Sequence, residues 1–526
     1  MRCKCPLFLS KKLIASAPWR GAYQPRGNTM RDQVRNTIAS KAWARWTVLA
    51  IVSFTMMAGY VVAKEMSPLQ FMLEKAAGDG GMGWTSGEFG IFAGSRGFFN
   101  VFLLMLFVGG IILDKMGVRF TGILSCVLML TGAAAVYGVI TYTSPDPLWN
   151  VPLLGTIKRQ VALAALGFAF FGIGYEMCGI TVSKVVVRWF SGKEMALAMG
   201  LQVSMARLGT ALALNFSLPI ALNWGLPRPL LIGLFCVGVG LIAYIYYCTM
   251  DRRLDDETQR LASQNAEGEN VETQNLASPT TEGENVETQN LASPTTEGEN
   301  VETQNLASQD DEKFHFSDMK ITIKNPGFWL ITLLCLFYYS ALYPFLDFAT
   351  KLMISKYGVE AELAGAIPSI LPYTSIVLTP LFGAWFDNKG RGATMMVIGS
   401  VLLTITLFVF AMPLNSSWIA VTLMCVLGIA FSLLPAALWP AVPKIVPMKQ
   451  LGTSYSIIYY IQNIGLMLIP VLIGKVLERN TVGEQVDYTH SLVIFGIIGV
   501  GAIIASSLLL WTDRKRHYGL ESPNIA

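Results

Sequence analysis

Gly110-Ile-Ile-Leu-Asp114-Lys115-Met-Gly117-Val-Arg119 and Gly383-Ala-Trp-Phe-Asp387-Asn-Lys389-Gly390-Arg391 are two copies of one pattern, their glycines and aspartates separated by a constant 273 residues (383 minus 110, 387 minus 114, 390 minus 117). A small residue lets two helices approach closely, and an aspartate at a helix end can pair with basic residues and backbone donors of a neighbour. A second register runs through the chain: Gly172 and Gly428, Lys193 and Lys449, and Gly209 and Gly465 all differ by 256. The chain is an internal duplication.

The duplicated unit reads as a membrane bundle. Of the 526 residues, 53% are hydrophobic and 14% charged, whereas a soluble domain carries roughly 25% charged residues. Apolar runs long enough to span, about 20 residues each, lie near 46–66, 89–113, 120–142, 161–187, 195–220 and 229–249. Six more lie near 327–350, 363–386, 394–412, 418–443, 452–476 and 490–511. The expected fold is all-α: twelve transmembrane helices in two pseudo-symmetric six-helix bundles with a disordered central loop. Its parts are a basic tail over 1–42, a first bundle over 43–250, an acidic linker over 251–324, a second bundle over 325–513 and a short tail over 514–526. The linker repeats fifteen residues from Leu261, Leu276 and Leu291, ending each time in EGENVETQN. Such a polar tract has little apolar surface to bury and is expected to be a solvated tether.

Several function classes drop out. A net charge of +4 with no basic stripe gives no reason to expect a nucleic-acid partner. The eight cysteines are scattered without a CxxC spacing and read as reduced. His315, His490 and His517 fall in or beside loops and tails, which speaks against a metal or haem core. No cofactor or metal is expected. No nucleophile triad or phosphate-cradling loop is present, so an enzyme is not expected. The expected partners are a small-molecule substrate and membrane lipid, with the protein monomeric. Ten Lys or Arg among the first 45 residues, and Arg514, Lys515 and Arg516 after the last span, put both termini in the cytoplasm by the positive-inside rule.

An ionisable group in mid-span costs at least about 2.5–3.5 kcal/mol on insertion scales, so its presence is a functional hypothesis by default. Glu176 in span four and Arg207 in span five are the clearest, with Arg96 in span two and Asp347 late in span seven behind them. Under the 256 offset Glu176 maps to Ser432 and Arg207 to Asn463, so the duplicated scaffold does not itself demand the charges. A free dipeptide ends in an ammonium and a carboxylate. Glu176 suits the first, and Arg207 suits the second because guanidinium and carboxylate match as a two-pronged pair. The alternative is an ion pair between Glu176 and Arg207 that holds spans four and five together.

Other candidates carry their own alternatives. Asn100 lies one turn beyond Arg96 and either lines a cavity or bridges helices; Arg96 either balances Glu176 or snorkels outward. Asp347 either meets a cationic side chain of the cargo or pairs locally with Lys351, four residues on. Asn463 mirrors Arg207 and offers neutral hydrogen bonds. Tyr60, Tyr175, Tyr339 and Tyr373 either wall a cavity or pack. Pro435, Pro440 and Pro443 around Trp439 predict a kinked or broken span ten, a possible gate.

With the pattern G-x-x-x-D-[RK]-x-G-x-[RK] after span two and again after span eight, in a six-plus-six chain with a long central loop, the sequence resembles the major facilitator superfamily. Lys115 stands where that family usually has Arg, and the second copy is looser after Gly390. The resemblance implies two bundles around a midplane cavity that work by rocking, with Gly110, Asp114, Lys115, Gly117, Arg119, Gly383, Asp387, Gly390 and Arg391 as the conformational motif. FGIGYE at 171–176, WFSGKEMALAMGLQVSMARLG at 189–209 and ALWPAVPKIVPMKQLGTSYSIIYYIQNIGL at 437–466 resemble a narrower branch, the lysosomal dipeptide transporters of animals and their bacterial relatives. That branch implies uniport of dipeptides, with its substrate-contacting glutamate and arginine on Glu176 and Arg207, and an accessory glycoprotein in animals. Competing expectations are an organic-anion carrier using Arg96 and Arg207, and a sensor signalling through the central loop. With no acidic dileucine signal in either tail, a bacterial cytoplasmic membrane is expected rather than a lysosomal one.

Overall fold

Span one is the helix Ala42–Glu74, and its length sets the pattern for the rest, since it outruns its apolar stretch by several residues. The computed structural model describes residues 37–152, 155–190, 194–276, 323–447, 451–482 and 485–523. Span four is Arg159–Phe190, span five Met195–Trp224, span six Pro227–Leu276, span seven Pro326–Tyr357 and span nine Gly392–Ala411. Span eight joins Ala361–Ala364 to Ala366–Lys389, span ten is Ser417–Ile445, span eleven Leu451–Arg479 and span twelve Thr489–Arg516. Among the described residues, eleven helices are long and apolar enough to cross a membrane. The remaining crossing, span two, is built from pieces.

Those pieces are Ser86–Ser95, Phe98–Phe102 and the first part of Met105–Tyr142. Thr85 and Glu88 form a reciprocal capping box that fixes where span two begins. The helix then breaks at Arg96–Gly97, and again at Leu104, whose backbone is left-handed at φ 51°. Non-helical backbone at membrane depth is tolerated only where protein covers it or a cavity opens beside it. The last helix turns from span two into span three at Gly117, with φ 75° and ψ 175°. That conformation belongs essentially to glycine, which explains this position of the first motif.

The expected boundary at residue 250 is not where span six stops. The helix continues to Leu276 and takes in the first of the fifteen-residue repeats. Its extension is anchored: Asp251 accepts from Trp189 at 3.2 Å and from Tyr247 at 3.1 Å, and Asp255 lies 2.8 Å from the Arg119 guanidinium. Charge pairing replaces the missing apolar surface there. Residues 277–322, with most of the repeats, lie outside the described residues. The last tail is likewise part of a bundle. Leu520 is fully buried, and the backbone oxygens of Leu520 and Glu521 accept from Gly392 and Arg391 at 3.0 Å.

The duplication is visible in the packing. A Cβ on Gly172 would strike the backbone of Arg96 in span two, and one on Gly428 would strike Thr374 in span eight. Gly209 abuts Met57 in span one and Gly465 abuts Ser340 in span seven. The same helix pairs, four on two and five on one, therefore meet at the same glycines in both halves. Lys193 and Lys449 lie outside the described residues.

Twelve crossings put the start of span one, the end of span twelve, the two motif loops and the span six extension at one end of the molecule, called here the terminal end. The distal end carries the connections of span one to two, three to four, five to six, seven to eight, nine to ten and eleven to twelve. They include two hairpins, Leu148–Val151 with Gly155–Lys158, and Thr481–Val482 with Gln485–Val486.

Candidate functional site

The break in span two opens beside Glu176. At that break the Arg96 guanidinium lies 5.4 Å from the Tyr175 ring centroid, and Arg96 interacts electrostatically with Glu176. The Glu176 carboxylate also reaches the side chain of Asn463, which belongs to the other half and is itself anchored to the Tyr459 carbonyl at 3.0 Å. Asn100 donates to the Gly172 carbonyl at 3.2 Å, so it bridges spans two and four, and its side-chain oxygen is buried without a partner.

Arg207 faces the other half in the same way. Its guanidinium donates to the Tyr343 hydroxyl at 2.6 Å and lies 4.3 Å from the Phe431 ring centroid. The Glu176–Arg207 ion pair that the sequence offered as an alternative is not made. Each group turns instead toward a neutral residue of the second bundle, and both are half-buried. Tyr60 interacts electrostatically with both and sits 5.0 Å from Tyr175, while Tyr339 stacks on Tyr343 at 5.5 Å. Tyr60, Tyr175 and Tyr339 thus wall one region, whereas Tyr373 is one of the exposed aromatics.

Two other local readings are corrected. Asp347 does not pair with Lys351 along its own helix. It forms a salt bridge with Lys64 of span one and accepts from Ser67 at 3.0 Å, and Lys351 pairs with Glu74. Both side chains point across the inter-bundle interface, where partners on span one are closer than a neighbour one turn away. Lys64 was not among the sequence candidates, although its side chain is only 3% exposed. The signal was present, since Lys64 and Glu65 are charges inside the first apolar run. Span ten is not broken either, because it is one helix with all three prolines inside. Pro443 removes the donor that the Trp439 carbonyl would have received, and the Tyr455 hydroxyl supplies one at 3.1 Å.

Among the described residues, both ion pairs that join the halves, Lys64–Asp347 and Lys351–Glu74, lie in the distal half. The distal start of span two is also pressed on span eleven. A Cβ on Gly94 would come within 2.3 Å of the Met467 carbonyl oxygen. The motif residues at the terminal end are looser. Asp114 pairs within its own half, with Lys184 at 2.7 Å, and its side chain is 76% exposed. Lys115 is exposed, Arg119 is engaged by Asp251 and Asp255, and Gly383 has open space where a Cβ would stand. Gly390 is covered by the chain's own tail at Glu521, whose carbonyl accepts from the Arg391 backbone, while Arg391 itself is exposed. The site is therefore sealed from the distal end.

Comparison with known proteins decides the family. The family model described as the Major Facilitator Superfamily matches residues 42–470 and 348–523. The chain belongs to the major facilitator superfamily. Within that superfamily it is 27% identical over 388 residues to the lysosomal dipeptide transporter of Bos taurus, covering 72% of this chain and 69% of that protein. It is 26% identical to the human protein of the same name, over 79% of this chain and 76% of the other. An uncharacterized transporter of the superfamily from Bacillus subtilis is 28% identical over 29% of the chain and 32% of its own length. Among solved structures a nucleoside transporter superposes with a TM-score of 0.60 at 14% identity, covering 88% of this chain and 98% of that one. A peptide transporter superposes at 0.58 and 14%, covering 90% and 95%. These two carry the fold. The chain is a multi-pass membrane transporter.

Proposed function

We propose that this protein carries dipeptides across its membrane by alternating access, with the peptide lying between Glu176 and Arg207. The observation that carries the reading is that these two half-buried charges of opposite sign do not neutralise one another. Each faces a neutral side chain of the second bundle, Asn463 or Tyr343. A zwitterion bridging the site would bring its carboxylate to Arg207, which has no acidic partner among the described residues, and its ammonium to Glu176, which it would share with Arg96. Retaining two such groups at membrane depth is costly unless something uses them. The names borne by the relatives of Bos taurus and Homo sapiens support the same cargo class.

Arg96 lies beside Glu176 and does not compete for the cargo carboxylate, because the Tyr175 ring and Glu176 hold it. Asn463 is placed to bond the peptide group or the ammonium end. The terminal end is taken as cytoplasmic from its basic tails, which makes the described state cytoplasm-facing. Transport needs no cofactor in this scheme, and uniport suffices. The bacterial cytoplasmic membrane remains the proposed location.

The test is counterflow in proteoliposomes with dipeptides against single amino acids. Glu176→Gln and Arg207→Gln should each reduce dipeptide exchange at least about 50-fold, as expected when a charge-assisted contact is lost. Dipeptide exchange that survives both changes would retire this assignment. Exchange of dicarboxylates that survives Glu176→Gln would support an anion carrier instead.

A further inference from the structure

Tyr343 is held twice by the first bundle. Its hydroxyl accepts from Arg207 of span five at 2.6 Å, and its backbone carbonyl accepts from the Lys64 ammonium of span one at 3.3 Å. The same ammonium lies 5.4 Å from the Tyr343 ring centroid and is salt-bridged to Asp347, one helical turn further along span seven. One residue of the second bundle thus touches both the cargo-binding guanidinium and the lysine of the distal latch. The next residue, Pro344, lies inside the helix, so the ladder bond it would donate is absent and the segment is easier to deform. The Ser340 hydroxyl, one turn earlier, is buried without a partner.

We propose that Tyr343 couples cargo binding to the distal latch. In the empty site its hydroxyl occupies Arg207. An arriving carboxylate takes that place, since a charge-assisted pair is roughly twice as strong as a hydrogen bond to a neutral acceptor. The displaced tyrosine gives up one of the cross-bundle bonds of the closed distal end. As it shifts, its carbonyl and ring no longer steady Lys64 against Asp347. Occupancy thereby favours opening at the distal end. The proposal rests on Arg207 as the carboxylate clamp and adds the residue that reports its occupation. By linkage, whatever loosens the latch also tightens cargo binding, up to the factor by which cargo favours the open state.

Tyr343→Phe removes the hydroxyl and keeps the ring and the carbonyl. Spin labels at Lys75 and Val482, both exposed at the distal end, in a background with Cys3, Cys5, Cys236 and Cys425 changed to Ser report the opening, and Ala-Ala is the probe. In the parent, Ala-Ala should shift the distances toward the open distribution. Tyr343→Phe should already resemble the loaded parent when empty, respond little to Ala-Ala, and bind it about three- to tenfold more tightly. A variant with the parent's empty distribution, its full response and its Kd overturns the coupling while leaving the binding site intact. If Ala-Ala does not bind the parent, or Arg207→Gln keeps the parent Kd, the clamp itself fails and the coupling falls with it. Should Tyr343→Phe not fold, Asp347→Asn approaches from the latch side. It should open the empty protein and lower the Kd in the same proportion, and opening with an unchanged Kd overturns the proposal.

Discussion

On span two, a Cβ at Gly90 would fall 2.4 Å from the Pro470 carbonyl oxygen, whereas a Cβ at Gly110, further along the same span, would meet nothing within 4 Å. The first position lies at the distal end, the second at the terminal end. At the distal end the halves are also joined by Lys64–Asp347 and Lys351–Glu74, while at the terminal end the Asp114 carboxylate stays within its own half. Both ends are furnished for close helix contact, but only one uses its furniture in this state. Gly110 and Gly383, with open space beside them, and Asp114, paired only within its own half, then make sense as contacts of the opposite state, which is what rocking about a midplane site requires.

The contrast can be broken most severely at the latch. Asp347→Ala leaves the Lys64 ammonium buried and unpaired, which costs about 3–5 kcal/mol in comparable buried pairs. The sealed state should be nearly lost by distance measurement across the distal end, and Lys64→Asp with Asp347→Lys should recover much of it. A sealed end unaffected by Asp347→Ala would show that the latch is incidental.

A sharper comparison makes one substitution at each end. Gly90→Leu should disfavour the described state by about 1–3 kcal/mol through overpacking against span eleven, raising labelling of cysteines placed at the distal end. Gly110→Leu should leave the described state intact and obstruct its counterpart, so distal labelling stays low. Transport falls in both, with opposite accessibility. Equal accessibility in the two variants would contradict the reading of the two ends.

Two smaller effects complete the series. Glu74→Gln removes the outer latch and should weaken the sealed state by about 1 kcal/mol, read as a modest rise in distal labelling. Asp114→Asn touches an exposed pair and should change the stability of the described state by less than about 0.5 kcal/mol. A large loss of thermal stability in Asp114→Asn would mean that the terminal end is already engaged.

Much of the fold could be read before any coordinates, because repetition is a strong signal. The offsets of 273 and 256 residues matched helices that pack alike, with Gly172 and Gly428, and Gly209 and Gly465, in equivalent contacts. The breaks in span two could not be read, since Phe98 to Met105 is apolar apart from Asn100 and gives no punctuation. The span six extension was hidden for the opposite reason. Its polar composition suggests disorder, and only the fold brings Arg119 and Arg188 to Asp251 and Asp255. In the site, Glu176 and Arg207 stood out by cost alone, but their neutral hydrogen-bond partners, Asn463 and Tyr343, lie in the other half. The i, i+4 spacing of Asp347 and Lys351 was misleading, because two helices meeting across an interface offered each a better partner.

The central claim is that the site recognises both ends of a free dipeptide, and capped peptides test it most directly. Counterflow of labelled Ala-Ala in proteoliposomes would be challenged with unlabelled Ala-Ala, N-acetyl-Ala-Ala and Ala-Ala-amide. Ala-Ala should compete, and blocking either terminus should weaken competition at least about 50-fold. Equal competition by either capped peptide would contradict that claim.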